Sequence, residues 1–161
     1  MIKGAHDHFG FIRVGAAVPK VSVGNVDYNT DHIIELMKRG TQEHIDVFVF
    51  PEMTMTGYTV GDLFFQKSLQ EDILRNLERL CEASKNESSI SLVGMPLSIE
   101  GDLYNVACVL YRGTLFGIVP KTYIPNYREF YEKRWFASAR LLREKNIKEI
   151  HLLGQKVPVG T

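Results

Sequence analysis

The chain has 161 residues, 45% apolar and 24% charged, with 19 acidic side chains balancing 19 basic ones and 2 cysteines. This is the composition of a globular domain, long enough to bury about 68–70% of the surface its unfolded form exposes. Zero net charge argues against a nucleic-acid or membrane-surface protein, no apolar run approaches the ~20 residues of a bilayer span, and two cysteines without a spacing pattern build no disulfide framework. Residues 1–8 lack the basic start and apolar core of a signal peptide. They read as a flexible terminus of a cytoplasmic protein. His6, Asp7 and His8 are metal-ligand residue types, but a flexible end is a poor preorganised site, and no metal is expected there.

In chain order, residues 9–18 read as a first strand ended by Pro19. Asn29 or Thr30 is placed to cap a helix whose apolar side is Ile33, Ile34, Met37 and Thr41. Residues 47–50 form a short apolar run of strand type. Ser68 and Glu71 have the spacing of a capping box, followed by Leu69, Ile73, Leu74, Leu77, Leu80 and Cys81 on one helical stripe. Residues 89–95 read as a third strand closed by Pro96. Residues 103–111 and 114–119 flank Arg112-Gly113 as an antiparallel hairpin with a positive φ at the glycine. Both faces of its first strand are apolar, which predicts cover on both sides, helices on one and a second sheet on the other. The pattern is that of an α/β layered sandwich. Residues 122–136 have no period and many aromatic and charged side chains, as functional loops do. A short helix or turn over 140–148 and a strand over 149–153 complete the expected elements.

Two charges stand just past buried runs. Pro51-Glu52 follows the apolar residues 47–50, and Lys121 follows 115–120. Each is expected at the rim of a sheet, partly desolvated, where a carboxylate's pKa rises toward the range of a general base and an ammonium stabilises charge developing on a carbonyl oxygen. A carboxylate and an ammonium so placed look like half of an active site. The nucleophile is the missing half.

Phe50-Pro51-Glu52, Gly57-Tyr58, Val93-Gly94-Met95-Pro96, Tyr104-Asn105, Pro120-Lys121 and Glu132-Lys133-Arg134-Trp135-Phe136 occur in the order and separations of the carbon–nitrogen hydrolase (nitrilase) superfamily, which the chain resembles. More narrowly, residues 17–21, 56–64 and 125–132 are similar to the amino-terminal glutaminase domain of glutamine-dependent NAD synthetases. The resemblance implies an α-β-β-α four-layer sandwich, incomplete in this chain, with residues 9–161 as the front part of the domain. It implies a Glu–Lys–Cys triad in which Glu52 is the general base, Lys121 the oxyanion stabiliser and Glu132 a second, orienting glutamate. Glu129 is the alternative for that last place. Tyr58 and Tyr127 would line a pocket for L-glutamine, whose amide would be cleaved through a cysteine thioester. The ammonia would pass to a synthetase domain that uses ATP and Mg to amidate nicotinic acid adenine dinucleotide. Homo-oligomers are implied as well.

The resemblance implies that the triad's cysteine would follow a later strand, beyond Thr161, and neither thiol present is expected to replace it. Cys81 lies on a helix core stripe and Cys108 inside a buried strand, where apolar surroundings leave a thiol inert. No glycine-rich phosphate loop appears either, so ATP and Mg belong to the absent domain and no cofactor is expected in this chain. The expectation is therefore the front of a larger enzyme, inactive alone. Two rivals stand beside it: a stand-alone amidase or nitrilase of the same superfamily, and a non-catalytic assembly module with an exposed sheet edge.

Overall fold

The computed structural model describes residues 10–160. Residues 1–8, expected to form a flexible terminus and including His6, Asp7 and His8, lie outside the described residues, as does Phe9.

Strand β1 is Val14–Ala16, shorter than the expected 9–18. It extends only as far as its parallel partner β2, Val47–Val49, can pair with it, and Phe11 and Ile12 are exposed. Between them lies helix α1, Val26–Gln42, capped by Asn25, whose side chain accepts from the Tyr28 N–H at 3.1 Å. The cap thus lies upstream of Asn29 and Thr30, both of which are buried within the first turns. Asn29 works as a tie instead: its side chain accepts from the Ser22 N–H at 2.7 Å and donates to the carbonyls of Ser22 and Met55 at 2.9 and 3.0 Å.

A 3₁₀ segment, Tyr58–Phe65, leads into helix α2, Lys67–Ser84. The expected capping box does not form. The helix starts before Ser68, Gln66 takes the cap position without a side-chain bond, and Glu71 pairs with Lys67 at 3.4 Å. The apolar stripe is as expected, with Leu69, Ile73, Leu77, Leu80 and Cys81 buried and Leu74 packed beside them. Arg75 and Arg79 of α2 reach Asp27 and Asp31 of α1 and tie the two helices together on their outer side.

Strand β3, Ile90–Ile99, pairs parallel to β2 and antiparallel to β4, Asp102–Tyr111, which pairs with β5, Thr114–Pro120. The sheet order is β1-β2-β3-β4-β5. Pro96 does not close β3. β2 ends opposite Leu92, so Pro96 sits where β3 has an open side and a missing N–H is tolerated. Both tight turns use two positive-φ residues, Glu100-Gly101 at 51° and 85° and Arg112-Gly113 at 47° and 82°, the geometry that matches strand twist.

Alternation divides the sheet. Phe48, Val93, Met95, Tyr104, Val106, Cys108, Leu110 and Ile118 face α1 and α2 and are buried. On the other face Val14 is 67%, Val49 43% and Val119 50% exposed, with Leu92, Ala107 and Val109 half-buried. The helix layer is where the apolar patterning places it, but among the described residues no second sheet covers the opposite face. The remaining pair, β6 (Glu149–Leu152) and β7 (Gln155–Pro158), lies beside β5, where the Gly160 N–H donates to the Ile118 carbonyl at 2.8 Å. Helix α3, Ala139–Glu144, precedes it, and residues 122–136 are irregular apart from a 3₁₀ turn at Glu132–Arg134.

Candidate active site

Glu52 sits in a tight turn just past β2. Phe50 still bonds to β3, its N–H donating to the Leu92 carbonyl at 2.9 Å, and the chain then folds back so that the Gly57 N–H donates to the Met53 carbonyl at 2.7 Å. Met53 and Met55 are fully buried and pin the turn from below. Gly94 on β3 makes room for it. A Cβ there would lie 2.4 Å from the Pro51 carbonyl oxygen and 2.8 Å from Glu52 Cα, distances at which the turn would have to move.

Lys121 follows β5, and Asn105 of β4 connects it to Glu52. The Lys121 N–H donates to the Asn105 carbonyl at 2.8 Å, while Asn105 Nδ2 donates to Glu52 Oε2 at 2.8 Å. Lys121 Nζ lies 2.9 Å from Glu52 Oε2 and 3.2 Å from each carboxylate oxygen of Glu132. Tyr58 completes the cluster, its hydroxyl donating to Glu132 Oε1 at 2.5 Å. Three of the expected residues and one expected pocket residue thus converge from chain segments up to 80 positions apart (52 to 132). Glu129 makes no such contact among the described hydrogen bonds and instead lines a small recess beside Tyr58.

Burial is distributed differently from the sequence expectation. The Glu52 side chain is 52% exposed, whereas that of Glu132 is 2% exposed, so Glu132 is the desolvated carboxylate. Burial alone would lower the pKa of Lys121, but its bonds to Glu52 and Glu132 outweigh that and raise it. The ammonium therefore stays charged through the neutral range. Burial, then the bond to Glu132, pushes the Tyr58 hydroxyl well above the usual tyrosine range, and it stays a donor.

Two clefts open at this cluster. One, about 530 Å³, runs from Glu52, Asn105 and Lys121 along the uncovered sheet face past Gly94 and Ala107. The other, about 900 Å³, is lined by Lys121, Tyr127, Lys133 and Arg140. Tyr127 is 64% exposed and packs against Phe130. It borders Lys121's cleft without reaching the carboxylates. Both thiols lie in the core, as expected. Burial, then the nearby Glu78 charge, pushes the Cys81 pKa up to about 11, and burial raises that of Cys108 as well. No group of three or more His, Cys, Asp or Glu side chains suited to a metal occurs among the described residues.

Asn105 is the site residue to which the sequence reading assigned no role. Its signal was a single amide inside an otherwise apolar strand, a polar group whose burial requires a partner.

The arrangement is a cation held between two carboxylates at the end of a sheet, beside an open cleft. A carbon-nitrogen hydrolase family model matches residues 13–159, and the chain belongs to that family. Over 133 residues it is 35% identical to the glutamine-dependent NAD(+) synthetase of Mycobacterium tuberculosis, a match covering 83% of this chain and 19% of that protein. The chain thus spans about a fifth of the length of the curated relatives it matches. A glutamine-dependent NAD(+) synthetase from Cytophaga hutchinsonii shares the fold, with a TM-score of 0.80 over 92% of this chain and 25% of that one at 22% identity. The Acinetobacter baumannii protein of the same name gives 0.70 over 88% and 26%, at 28% identity. An amidase of Nesterenkonia AN1 from the nitrilase superfamily also shares the fold, with a TM-score of 0.68 over 79% of this chain and 48% of that one at 15% identity.

Proposed function

We propose that this chain is the front part of the glutaminase unit of a glutamine-dependent NAD synthetase. The observation that carries the reading is Lys121 Nζ bonded at once to Glu52 and Glu132. In that reading Glu52 takes the proton of a cysteine thiol, and the thiolate attacks the side-chain amide carbon of L-glutamine. Lys121 stabilises the oxyanion. The protonated Glu52 returns its proton to the departing nitrogen, releasing ammonia and leaving a thioester. Glu52 then removes a proton from the water that attacks the thioester, the C–S bond breaks to release glutamate, and Glu52 passes that proton to the departing thiolate. Glu132 keeps Lys121 charged and aimed, and Tyr58 holds Glu132. Tyr127 lines the substrate side of the cleft. The half-exposed Glu52 suits its role, since it must meet a thiol and a substrate that arrive from the open side.

The thiol is not among these 161 residues, because both cysteines belong to the core. The chain by itself is therefore expected to release no ammonia from L-glutamine. ATP and Mg would serve a synthetase domain that takes up the ammonia and lies outside this chain. A cytoplasmic homo-oligomer is part of the same reading. The 56–64 and 125–132 loops favour glutamine over the small amides and nitriles of stand-alone members. The test is competition between L-glutamine and simple aliphatic amides in the natural protein that carries this chain. A clear preference for glutamine is expected, and faster turnover of the simple amides would make the chain part of a general amidase.

A further inference from the structure

Besides the Tyr58–Glu132 bond, a second link joins the two segments that carry these residues. Asp62 lies four residues after Tyr58, and Arg134 and Trp135 lie two and three after Glu132. Arg134 Nε and Nη2 donate to the two oxygens of Asp62, each at 2.7 Å, and Trp135 Nε1 donates to Asp62 Oδ1 at 2.9 Å. Beneath them, buried Phe64 meets the rings of Trp135 and Phe136 at 5.8 and 5.1 Å between centroids. The N–H groups of Trp135 and Phe136 donate to the Glu132 carbonyl at 2.9 and 2.8 Å, so whatever holds Trp135 holds the Glu132 backbone. Gly61, at φ 67° and ψ −141°, kinks the 3₁₀ segment immediately before Asp62, a conformation suited to glycine.

We infer that Asp62 is a positioning residue: by gripping Arg134 and Trp135 it fixes the turn that carries Glu132 against the segment that carries Tyr58, and so sets where the Glu132 carboxylate meets Lys121. An exposed ion pair contributes little to stability, and the Asp62 and Arg134 side chains are 61% and 58% exposed. A two-pronged arginine–carboxylate bond does confer geometry. Glu132 needs that geometry, because a buried carboxylate is costly unless its partners are correctly placed. The bonds from Arg134, then Trp135, hold the Asp62 carboxyl far below the usual carboxylate range, so it stays an acceptor at working pH. The inference rests on Glu132 belonging to the site.

The test uses this chain labelled with ¹⁵N and ¹³C. Trp135 is the only tryptophan, so one indole N–H signal reports the clasp. The Glu132 carboxyl carbon and the Lys121 ammonium, assigned by their loss in Glu132→Gln and Lys121→Arg, report the site. Asp62→Ala removes the clasp. Arg134→Lys keeps the charge but cannot form the two-pronged bond, so a response to it is not a direct electrostatic effect. In both variants the Glu132 and Lys121 signals are expected to shift or broaden while the unfolding midpoint stays close to wild type. In Asp62→Ala the indole proton should also exchange faster with water. A changed indole signal beside unchanged Glu132 and Lys121 signals would overturn the inference and reduce the pair to a surface bridge. If Asp62→Ala fails to fold, Arg134→Lys decides alone. None of these signals depends on turnover, so failure of the glutamine reading would appear separately, as absent ammonia release in the natural protein.

Discussion

Lys121 shows what each residue in the cluster contributes. Its side chain is three-quarters buried and its ammonium meets two carboxylates, two acidic groups against one basic. Tyr58, whose hydroxyl donates to Glu132, blunts the excess. Glu52 and Lys121 were legible in the sequence because each ends an apolar run. The burial of Glu132 was not, since Glu132 sits in a short turn of an aperiodic loop, closed by the Trp135 and Phe136 N–H groups on its carbonyl. Gly94 was legible as part of a motif but not as the clearance behind the Glu52 turn, which only the close approach of two segments reveals. A pH prediction belongs at this scale. Tyr58 and Lys121 both hold their protons more tightly in the folded state. Their contribution to stability is therefore complete below the ordinary tyrosine value of 10.0 and is lost as pH rises through their folded values. Thermal unfolding followed by circular dichroism through the alkaline range should show a falling midpoint, and Tyr58→Phe should flatten the fall. An identical slope in the variant would exclude Tyr58 as a source.

Among the elements, strong periodicity is legible in the sequence and ends are not. The α2 stripe and the Arg112-Gly113 hairpin formed as expected, because burial of one face and a positive-φ turn dominate their surroundings. Cap positions differ from expectation in both long helices. Asn25 rather than Asn29 caps α1, because Asn29 is drawn inside to satisfy the carbonyls of half-buried Ser22 and buried Met55. Ser68 caps nothing, because α2 begins at Lys67. Pro96 misled in the same way: it reads as a strand end unless the reach of β2 is known. These assignments separate experimentally. Asn25→Ala should cost about 1 kcal/mol and Ser68→Ala less than about 0.5 kcal/mol, measured by urea unfolding. The reverse order would restore the capping box.

For the whole molecule, the apolar patterning predicted the α/β class and the helix layer but not the uncovered sheet face. That face begins at Val14, crosses Val49, Leu92, Ala107 and Val119, and ends at Asn105 and Glu52. The Glu52–Lys121–Glu132 cluster thus stands at the end of an apolar surface, where material packed onto the sheet would exclude water from Glu52 and strengthen its interactions. No helix among the described residues is long and apolar enough to cross a membrane. In the proposed function the carboxylate at the end of β2 is the base of an amide-hydrolysing site. The most direct test of that claim is ammonia release from L-glutamine by the natural protein that carries this chain, wild type against Glu52→Gln. A fall of about 10²–10⁴-fold, with the circular dichroism spectrum unchanged, is the expected result. A Glu52→Gln enzyme that releases ammonia at the wild-type rate would contradict the claim.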